Sequence, residues 1–596
     1  MAVLLVEQEL SLDPAGLTLG LVDMAMVGFG SRTVLYALSR SENLLFEVEL
    51  EGDGTLSIVN TLTLSGTFAA GSDPVLRHIL LENGASVLTL AGMSDADGQA
   101  VTLGADGTLG EQTALVGVGT LVSPNSVEIS GSDMMISGGA DGGLNLFSGA
   151  GLGFGWTASL SDTAERYLGD VADLMTFTIG AQIFVGTVSA IENGVNLARV
   201  TNAGLTQTGA LGPTQYLPIS TPEDLDVVQR LGETHLVVAS SGSSSLTTIM
   251  IGPDGSPMLA DHILDSDASA LGGARSVTTV LNGDVAYVAA GGNEGGISLL
   301  TMLPGGRLVH LDTQADDNFL SLERITSVEM SISGSALQIF GSSSMANDIA
   351  RLTFDISAQG SVFLADTLGN GAVGTALDDQ VIGSDVAETL SGGAGRDILL
   401  DGAGIDTMAG GSGEDLFVFS ADGVLDVVTD FERGFDRLDL SAFDFFYNID
   451  QLSLAPETDG ATLTFADETI RIFTADAAPL TLAELNNNDI LNVDRPPYLA
   501  TAQNLIGGSG ADSLNGGHGN DTVLGNDGDD TLFGNGGDDT LDGGIGADQI
   551  DGGAGNDFLR GQADADTIVG STGDDLILGD GGDDVIYGDG FDWSGA

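Results

Sequence analysis

A nine-residue register runs unbroken from Gly507 to residue 587 and leaves few folds open to this part of the chain. Across nine repeats, position one is always Gly, position six is always Asp and position eight is always aliphatic. Position four is Gly in every repeat except the one that carries Asp564. Only 86 of the 596 residues are acidic, so nine Asp at nine equivalent positions are not an accident of composition.

The spacing within a repeat has a direct physical interpretation. One aliphatic residue per repeat can point inward from a very short strand, which gives a thin core. Gly at positions one and four allows backbone angles that are closed to other residues and turns carbonyls inward. The position-six carboxylate adds an anionic oxygen beside those carbonyls, and hard oxygen cages of this kind suit Ca²⁺. The register therefore predicts stacked turns that share calcium ions.

The charge of this segment makes the ion essential to folding. Residues 507–587 contain 18 Asp and a single basic residue, Arg560. Neighbouring carboxylates repel by about 1 kcal/mol per pair, and each buried aliphatic contributes about 1.5–3 kcal/mol. Ordering the backbone costs about 1–2 kcal/mol per residue. We therefore expect folding to be coupled to ion binding.

The candidate metal ligands follow from the register. The position-six carboxylates are Asp512, Asp521, Asp530, Asp539, Asp548, Asp557, Asp566, Asp575 and Asp584. The loop glycines expected to contribute are Gly508, Gly510, Gly517, Gly519, Gly528, Gly537, Gly544, Gly546, Gly553, Gly555, Gly573 and Gly582. A shorter array over 392–418 adds Asp397, Asp406 and Asp415, after a degenerate repeat in which Glu388 takes position six. Asp401 replaces a position-one Gly and Asp564 a position-four Gly, so sites there are expected to be altered or lost.

Both arrays resemble the RTX, or haemolysin-type, calcium-binding repeats, as "GGSGADSLNGGHGNDTVLG" and "GGAGRDILLDGAGIDTMAGGSGEDLFV" illustrate. The middle segment "DVVTDFERGFDRLDLSAF" is similar to the one that follows such arrays in many RTX proteins. The resemblance implies parallel β-rolls with Ca²⁺ between turns. It also implies export in the unfolded state by the type I secretion machinery and folding on extracellular Ca²⁺.

The two ends of the chain bear on that export route. The amino-terminal "MAVLLVEQELSLD" has no basic n-region, as expected for a protein that does not use a cleaved amino-terminal signal. Nine residues, "GDGFDWSGA", follow the last repeat. They indicate either a compact secretion signal or a shortened chain.

A longer period of about fifty residues occupies the first part of the chain. Its marker is a turn glycine that recurs at Gly54, Gly107, Gly155, Gly204, Gly255, Gly306 and Gly360. Each repeat holds about four short runs of alternating apolar residues bounded by Gly, Ser, Asn and Asp, which is the pattern of β-strands. Seven such units predict a seven-bladed β-propeller, with "AVLLVEQEL" as the strand that closes the ring. A stack of β-sandwiches is the alternative.

The predicted fold is all-β. A β-propeller (1–370) is followed by a short RTX β-roll (383–418), a β-rich segment and linker (419–503) and the main RTX β-roll (504–596). The β-rich segment is dense in aromatic residues and is expected to have its own core. "DRPPY" at 494–498 predicts a stiff linker.

Composition excludes several functions. The formal net charge is −70 and all 16 basic residues are Arg, so the chain is not expected to bind nucleic acid. Cys is absent, which excludes disulfides and thiolate metal sites. The uncharged stretch 142–161 contains too much Gly, Ser and Asn for a transmembrane segment.

The repeats "VVASSGSSSLTTIMIGPDG" and "AYVAAGGNEGGISLLTMLPGG" resemble blades of the seven-bladed YVTN and lactonase-like propellers. That superfamily includes both enzymes and surface proteins. Only His78, beside Arg77, is expected near the central channel, and no catalytic residue is assigned. The acidic clusters at 95–97 and 312–318 are expected to be solvated loops. Three functions remain open: a calcium-binding protein whose propeller recognises a glycan, protein or cell surface; an extracellular hydrolase; and a surface-layer or matrix component.

Overall fold

The computed structural model of the chain is nearly all-β and divides into two compact units, Met1–Pro496 and Pro497–Ala596. It describes residues 4–12, 20–30, 32–51, 55–68, 74–81, 84–93, 98–118, 125–129, 132–138, 142–150, 152–163, 166–169, 171–212, 219–266, 269–316, 322–345, 348–366, 368–443, 446, 449–466, 468–485, 490, 493, 495, 504–508, 510, 513–517, 521–536, 539–554, 557–572 and 575–589. Short 3-10 turns lie at Pro304–Gly306, Ile449–Gln451 and Leu482–Glu484. None of the helices in these ranges is long and apolar enough to cross a bilayer.

Seven four-stranded antiparallel sheets make up the first part of the chain. Their strands are β1 (Leu5–Ser11), β2 (Leu21–Phe29), β3 (Arg32–Ser39), β4 (Leu44–Leu50), β5 (Leu56–Thr63), β6 (Leu76–Leu80), β7 (Ser86–Leu90), β8 (Gly98–Leu103), β9 (Leu109–Leu115), β10 (Asn125–Ile129), β11 (Ser132–Gly138), β12 (Leu144–Ala150), β13 (Gly153–Leu160), β14 (Val171–Ile179), β15 (Gln182–Ser189), β16 (Gly194–Thr201), β17 (Gly204–Leu211), β18 (Pro222–Arg230), β19 (Glu233–Ser240), β20 (Ser245–Ile251), β21 (Pro257–Leu264), β22 (Ala274–Asn282), β23 (Val285–Gly292), β24 (Gly296–Met302), β25 (Leu308–Ala315), β26 (Ile325–Ser333), β27 (Ala336–Ser343) and β28 (Asp348–Asp355). Blades one to six take four consecutive strands each, from β2 to β25. The seven-bladed propeller is confirmed.

Blade seven is completed by the amino-terminal strand, as the sequence predicts. Strand β1 pairs antiparallel with β28, from Leu5 opposite Thr353 to Ser11 opposite Asp348. Phe340 of blade seven packs in one buried cluster with Leu21 and Met24 of blade one. The amino-terminal strand thus becomes the edge strand of the last blade and ties the two ends of the ring together.

Polar side chains on the innermost strands connect neighbouring blades. Each accepts a hydrogen bond from a backbone N–H of the next blade: Asp23 from Leu76 (2.7 Å), Asp173 from Leu225 (3.4 Å), Asp224 from Val277 (3.0 Å), Ser276 from Val328 (3.0 Å) and Ser327 from Met24 (3.2 Å). Buried backbone N–H groups need an acceptor. These Asp and Ser residues supply one where blades meet around the central channel.

The first parallel roll follows blade seven directly. Its strands are β29 (Gln359–Leu364), β30 (Ala372–Val373), β31 (Asp378–Ile382), β32 (Thr389–Ala394), β33 (Ile398–Leu400), β34 (Thr407–Ser412), β35 (Leu416–Val418), β36 (Leu425–Phe431) and β37 (Arg437–Asp439). Odd-numbered strands form one parallel sheet and even-numbered strands the other. Parallel pairing begins at Gln359, whereas the sequence places the start of this roll at 383.

The aromatic segment after the array does not have a core of its own, contrary to expectation. Strands β38 (Ser453–Glu457), β39 (Gly460–Phe465) and β40 (Glu468–Thr474) extend the even sheet, since β36 pairs parallel with β40. One buried cluster joins Leu399 and Phe417 of the roll to Phe431, Phe443 and Ile472. The thin roll needs additional apolar surface, and these side chains supply it.

Arg495, from the predicted linker, is an anchor between the propeller and the first roll. Its Nε and Nη2 donate to the two carboxylate oxygens of Asp261 in blade five, each at 2.9 Å. Its Nη1 donates to the Ser441 hydroxyl and lies 3.9 Å from Asp439 Oδ1. The prolines after Arg495 lie outside the described residues.

The second unit is a parallel roll of ten strands. They are β41 (Asn504–Ile506), β42 (Ser513–Gly517), β43 (Thr522–Asp527), β44 (Thr531–Gly536), β45 (Thr540–Ile545), β46 (Gln549–Ala554), β47 (Phe558–Ala563), β48 (Thr567–Thr572), β49 (Leu576–Gly581) and β50 (Val585–Asp589). Odd and even strands again form two separate sheets. Position-eight residues from Val523 to Ile568 are fully buried between them, as the register predicts.

Candidate calcium sites and the propeller channel

In the second roll the position-six carboxylates form two hydrogen-bonded ladders, one along each side. The backbone N–H of one Asp donates to Oδ1 of the Asp eighteen residues later. One ladder runs Asp521 to Asp539 (2.7 Å), Asp557 (2.8 Å) and Asp575 (3.0 Å). The other runs Asp530 to Asp548 (2.8 Å), Asp566 (2.9 Å) and Asp584 (3.1 Å). The ladders thus hold one carboxylate oxygen of each of these six acceptors: Asp539, Asp548, Asp557, Asp566, Asp575 and Asp584.

The second carboxylate oxygen is the one available to an ion. Within the described residues, Oδ2 of Asp548 and of Asp566 is buried and accepts no hydrogen bond. The same holds for Asp397, Asp406 and Asp415 of the first roll. A buried anionic oxygen without a partner is costly unless a cation or proton satisfies it. These atoms therefore fit a bound calcium ion.

The ligand set differs from a cluster of acidic side chains. Among the described residues, no three His, Cys, Asp or Glu side chains converge as a metal site would require. In the roll, each turn offers one position-six carboxylate, and backbone carbonyls lie next to it. The carbonyl oxygen of Gly543, for example, lies beside Gly525 and the Asp530 carboxylate. Calcium accepts carbonyl and carboxylate oxygens together.

Position one is Gly for a steric reason that the sequence analysis missed. A Cβ on Gly543 would collide with Oδ2 of Asp548, and one on Gly525 would collide with Oδ2 of Asp530. The backbone at these two glycines does not have a positive φ. The interpretation that position one needs a special backbone conformation was therefore wrong, because the carboxylate takes the space of the side chain.

The positive φ angles lie at positions two and four. Gly528, Gly544 and Gly546 have φ of 127°, 110° and 137°. Asp564 keeps the left-handed conformation with φ of 78°, so the turn that was expected to be altered retains its backbone geometry. Asn526, Gln562 and Asp580 do the same at position two.

The other predicted glycines are placed as follows. Gly508 and Gly510 lie in the loop before β42, and Gly517 is the last residue of β42. Gly553 lies in β46, and Gly582 lies in the turn before β50. Asp512, Gly519, Gly537, Gly555 and Gly573 lie outside the described residues.

The first roll carries the same ladders and extends them beyond the predicted array. The backbone N–H of Asp397 donates to Asp415 Oδ1 (2.9 Å), and that of Glu388 donates to Asp406 Oδ1 (2.7 Å). Three further members were missed: Asp379, whose N–H donates to Asp397 Oδ1 (2.8 Å), Asp426, whose Oδ1 accepts from the Asp406 N–H (2.9 Å), and Asp436, whose Oδ1 accepts from the Asp415 N–H (3.0 Å). Each of the three precedes a buried aliphatic residue by two positions, as position six precedes position eight.

Two positions in the first roll depart from the calcium pattern. The Glu388 carboxylate reaches back to its own turn and accepts from the Ser384 N–H at 2.7 Å. Asp401 is buried and accepts from the Ser420 N–H at 2.9 and 3.1 Å. The other Glu388 oxygen accepts from the Ser384 hydroxyl, so groups of the protein occupy the carboxylate oxygens of both residues. The altered site at Asp401 stays a prediction.

The propeller channel contains one arginine surrounded by carboxylates. Arg77 Nη2 lies 2.7 Å from Asp173 Oδ1 and 3.7 Å from Asp224 Oδ1, and Nη1 lies 3.8 Å from Asp23 Oδ2. These residues belong to the first strands of blades two, four, five and one. Burial raises the pKa of nearby Glu329 to about 8, with Asp23 and Asp226 adding to the effect. The single guanidinium therefore does not balance all of these carboxyl groups, and Glu329 stays protonated at neutral pH.

His78 is not part of this cluster. Its Nε2 contacts the Ser86 hydroxyl at 2.5 Å, and its ring packs edge-on against Phe29. Successive residues of a strand point to opposite sides, so His78 and Arg77 cannot act together.

In the acidic stretch 312–318, Asp312 accepts from the Leu4 N–H at 2.6 Å. Residues 95–97 and 317–318 lie outside the described residues.

Gly543→Ala is expected to weaken calcium binding without a large effect on the metal-free chain, because the new methyl group displaces the Asp548 carboxylate. Isothermal titration with Ca²⁺ measures the effect. The matched control is Gly588→Ala, where a Cβ would contact no other group within 4 Å. Equal affinity in both variants would contradict the role given to position one.

Without calcium, the rolls are expected to lose structure as pH rises. Burial raises the pKa of Asp397 and Asp406 to about 7 and that of Asp415 and Asp548 to about 6, from an ordinary value of 3.8, with neighbouring carboxylates adding to the shift. Between the two values the folded state holds more protons, so the free energy of unfolding falls as pH increases. Circular dichroism in chelator should show β-structure near about pH 5 and its loss by about pH 8. Saturating Ca²⁺ should abolish that loss, and a metal-free chain that gains structure over this range would contradict the assignment.

Arg77→Met tests whether the channel cluster is structural. Removing the guanidinium leaves three carboxylates uncompensated, so we expect a loss of about 3–5 kcal/mol in the free energy of unfolding of the propeller. Arg275→Met, which breaks the ion pair with Glu223 at 2.6 Å, is the control and should cost about 1 kcal/mol or less. Similar small losses in both variants would show that Arg77 is dispensable for stability and would favour a role in ligand binding or catalysis.

Comparisons with known proteins agree with the roll geometry. The family profile "RTX calcium-binding nonapeptide repeat (4 copies)" matches residues 500–532, 524–559 and 560–592, and "Peptidase M10 serralysin C terminal" matches residues 331–472. No curated protein sequence matches the chain. A crystal structure of a putative 6-phosphogluconolactonase from Bacteroides uniformis is 13% identical, with a TM-score of 0.38, covering 50% of this chain and 85% of that chain. The chain thus carries calcium-binding RTX repeats and a serralysin-type C-terminal domain after a seven-bladed propeller.

Proposed function

We propose that this protein completes its fold outside the cell, where Ca²⁺ is plentiful, and that its propeller is a recognition module for a surface, glycan or protein. RTX repeats imply a calcium-binding protein exported by type I secretion. The observation that carries the proposal is a set of buried Oδ2 atoms that accept no hydrogen bond within the described residues, at Asp397, Asp406, Asp415, Asp548 and Asp566.

Calcium would act on this chain in two places. The second roll has a core of one aliphatic residue per turn and two ladders of carboxylates, so ion binding supplies stability that apolar burial does not. The first roll shares its core with the aromatic segment and contacts the propeller through Arg495 and Asp261. Calcium binding to Asp397, Asp406 and Asp415 would therefore also stabilise the face of the first roll that contacts the propeller.

A recognition role suits the propeller better than a catalytic one. In the channel, Asp23, Asp173 and Asp224 each hold a backbone N–H of the next blade, and together they surround Arg77. Side chains committed to blade contacts have little freedom to bind a substrate. A hydrolase remains the second candidate, because Arg77 and three carboxylates do converge at one place, as catalysis would require. The surface-layer alternative stays a prediction from sequence.

Calcium dependence of the fold tests the first part of the proposal. In chelator at about pH 7.5, we expect circular dichroism of the full chain to show loss of roll structure and added Ca²⁺ to restore it, since an ion that binds the folded state stabilises it. Asp548→Asn should raise the Ca²⁺ concentration needed for refolding. Asp583→Asn is the matched control, because it removes the same charge from an exposed position-five residue. A spectrum that is unchanged by chelation would overturn the proposal.

A further inference from the structure

A cavity of about 100 Å³ lies where the propeller faces the first roll, inside the first unit. Its propeller wall comes from β23, β24 and β25 of blade six and the end of β28 in blade seven. Its other wall comes from β29, β31, β33, β35 and β37 of the roll. About 10–15 Å³ suffices for one water molecule, so this cavity has room for a small organic ligand.

Gln380 presents an unused acceptor in the cavity wall. Its side chain is 3% exposed, and its Nε2 donates to Thr301 Oγ1 at 2.9 Å. The Thr301 hydroxyl donates in turn to the Ala286 carbonyl at 2.8 Å. Within the described residues, Gln380 Oε1 is buried and has no donor. A buried amide oxygen of this kind requires a donor from the occupant of the cavity.

Tyr287 adds a second acceptor on the propeller wall. Its hydroxyl donates to Gln359 Oε1 at 2.8 Å, and Gln359 Nε2 donates to the Asn282 carbonyl at 2.8 Å. The Tyr287 proton is therefore committed, while its oxygen can still accept. The Tyr287 and Phe354 rings lie 6.5 Å apart at 61°, which gives the same wall an apolar face.

Charged residues form a row on the roll wall. Four neighbouring strands carry Asp378, Arg396, Glu414 and Arg437 at their first residue or two residues before it. Arg396 is paired with Asp378 at 2.5 Å. Carboxylates outnumber guanidinium groups in the cavity lining, which disfavours an anionic ligand, because the lining also includes Asp355, Asp379 and Asp397. The row favours a ligand with many hydroxyl groups, which donate hydrogen bonds to carboxylates and accept them from guanidinium groups.

We propose that this cavity binds one neutral sugar ring, whose hydroxyl groups donate to Gln380 Oε1 and to the Tyr287 oxygen and whose C–H face packs on the aromatic wall. A sugar hydroxyl both donates and accepts, so it can satisfy the amide oxygen and the charged row at once. A sugar is thus the class of ligand for the proposed recognition role, and its binding rests on the proposed function in one respect. The roll wall must be folded, which calcium would ensure.

The test uses the full chain in saturating Ca²⁺. Saturation-transfer NMR and calorimetric titration are carried out with D-glucose, D-galactose, D-mannose, N-acetyl-D-glucosamine and their methyl glycosides. Short oligosaccharides ending in the sugar that binds form a second arm, which distinguishes a free monosaccharide from the end of a glycan. We expect saturable binding of at least one sugar. Gln380→Leu should weaken it by about tenfold or more, because a sugar hydroxyl loses its acceptor.

Gln338→Leu is the matched control, since Gln338 is also buried with an Oε1 that accepts no hydrogen bond in the described residues, yet it does not line the cavity. It should bind as the wild type does. Tyr287→Phe keeps the aromatic ring, removes the hydroxyl oxygen and should also weaken sugar binding. It is the test variant if Gln380→Leu fails to fold. Absence of saturable binding by the calcium-loaded chain, or equal binding by Gln380→Leu or Tyr287→Phe, would overturn the inference. Circular dichroism with and without Ca²⁺ on the same samples separates this result from failure of the proposed function.

Discussion

Carboxylate oxygens that face inward are the constraint on which the rest of this structure depends. The chain has 86 acidic residues and 16 Arg, so most carboxylates cannot find a cation within the protein. In the second roll, one oxygen of Asp548 and of Asp566 is held by a backbone N–H, and the other accepts no hydrogen bond within the described residues. The stability of these turns therefore depends on the calcium available in solution. Apolar burial in a core that is one residue wide cannot offset the repulsion between the carboxylates.

In the propeller, by contrast, buried Asp carboxylates have their partners within the protein. There Asp23 and Asp224 bind backbone N–H groups of the next blade and share Arg77, so their charge is met inside the protein. Asp261 is likewise met by Arg495. Arg77 and Arg495 thus supply positive charge at the channel and at the joint with the first roll.

Sequence reasoning succeeded where one repeat obeys a local rule. The ladder residues from Asp521 to Asp584 and the buried series from Val523 to Ile568 follow from the nine-residue period, because every turn is built alike. The seven blades followed from a fifty-residue spacing. Asp379, Asp426 and Asp436 were missed because their neighbours depart from the glycine pattern, although each keeps the two-residue offset to a buried aliphatic. Arg77 could be placed near the channel, but its three partners come from blades that are far apart in sequence.

The position of Arg495 has a consequence for the order in which the chain can assemble. Its partner Asp261 lies 234 residues earlier, and Asp439 and Ser441 belong to the roll that it joins to the propeller. Until residue 495 is present, docking the roll would bury Asp261 and Asp439 with too little positive charge, which is strongly unfavourable. The interface between the propeller and the first roll is therefore expected to form late in assembly. A chain that ends before this arginine is discouraged from closing the joint, and only a chain that extends through it gains the full interface.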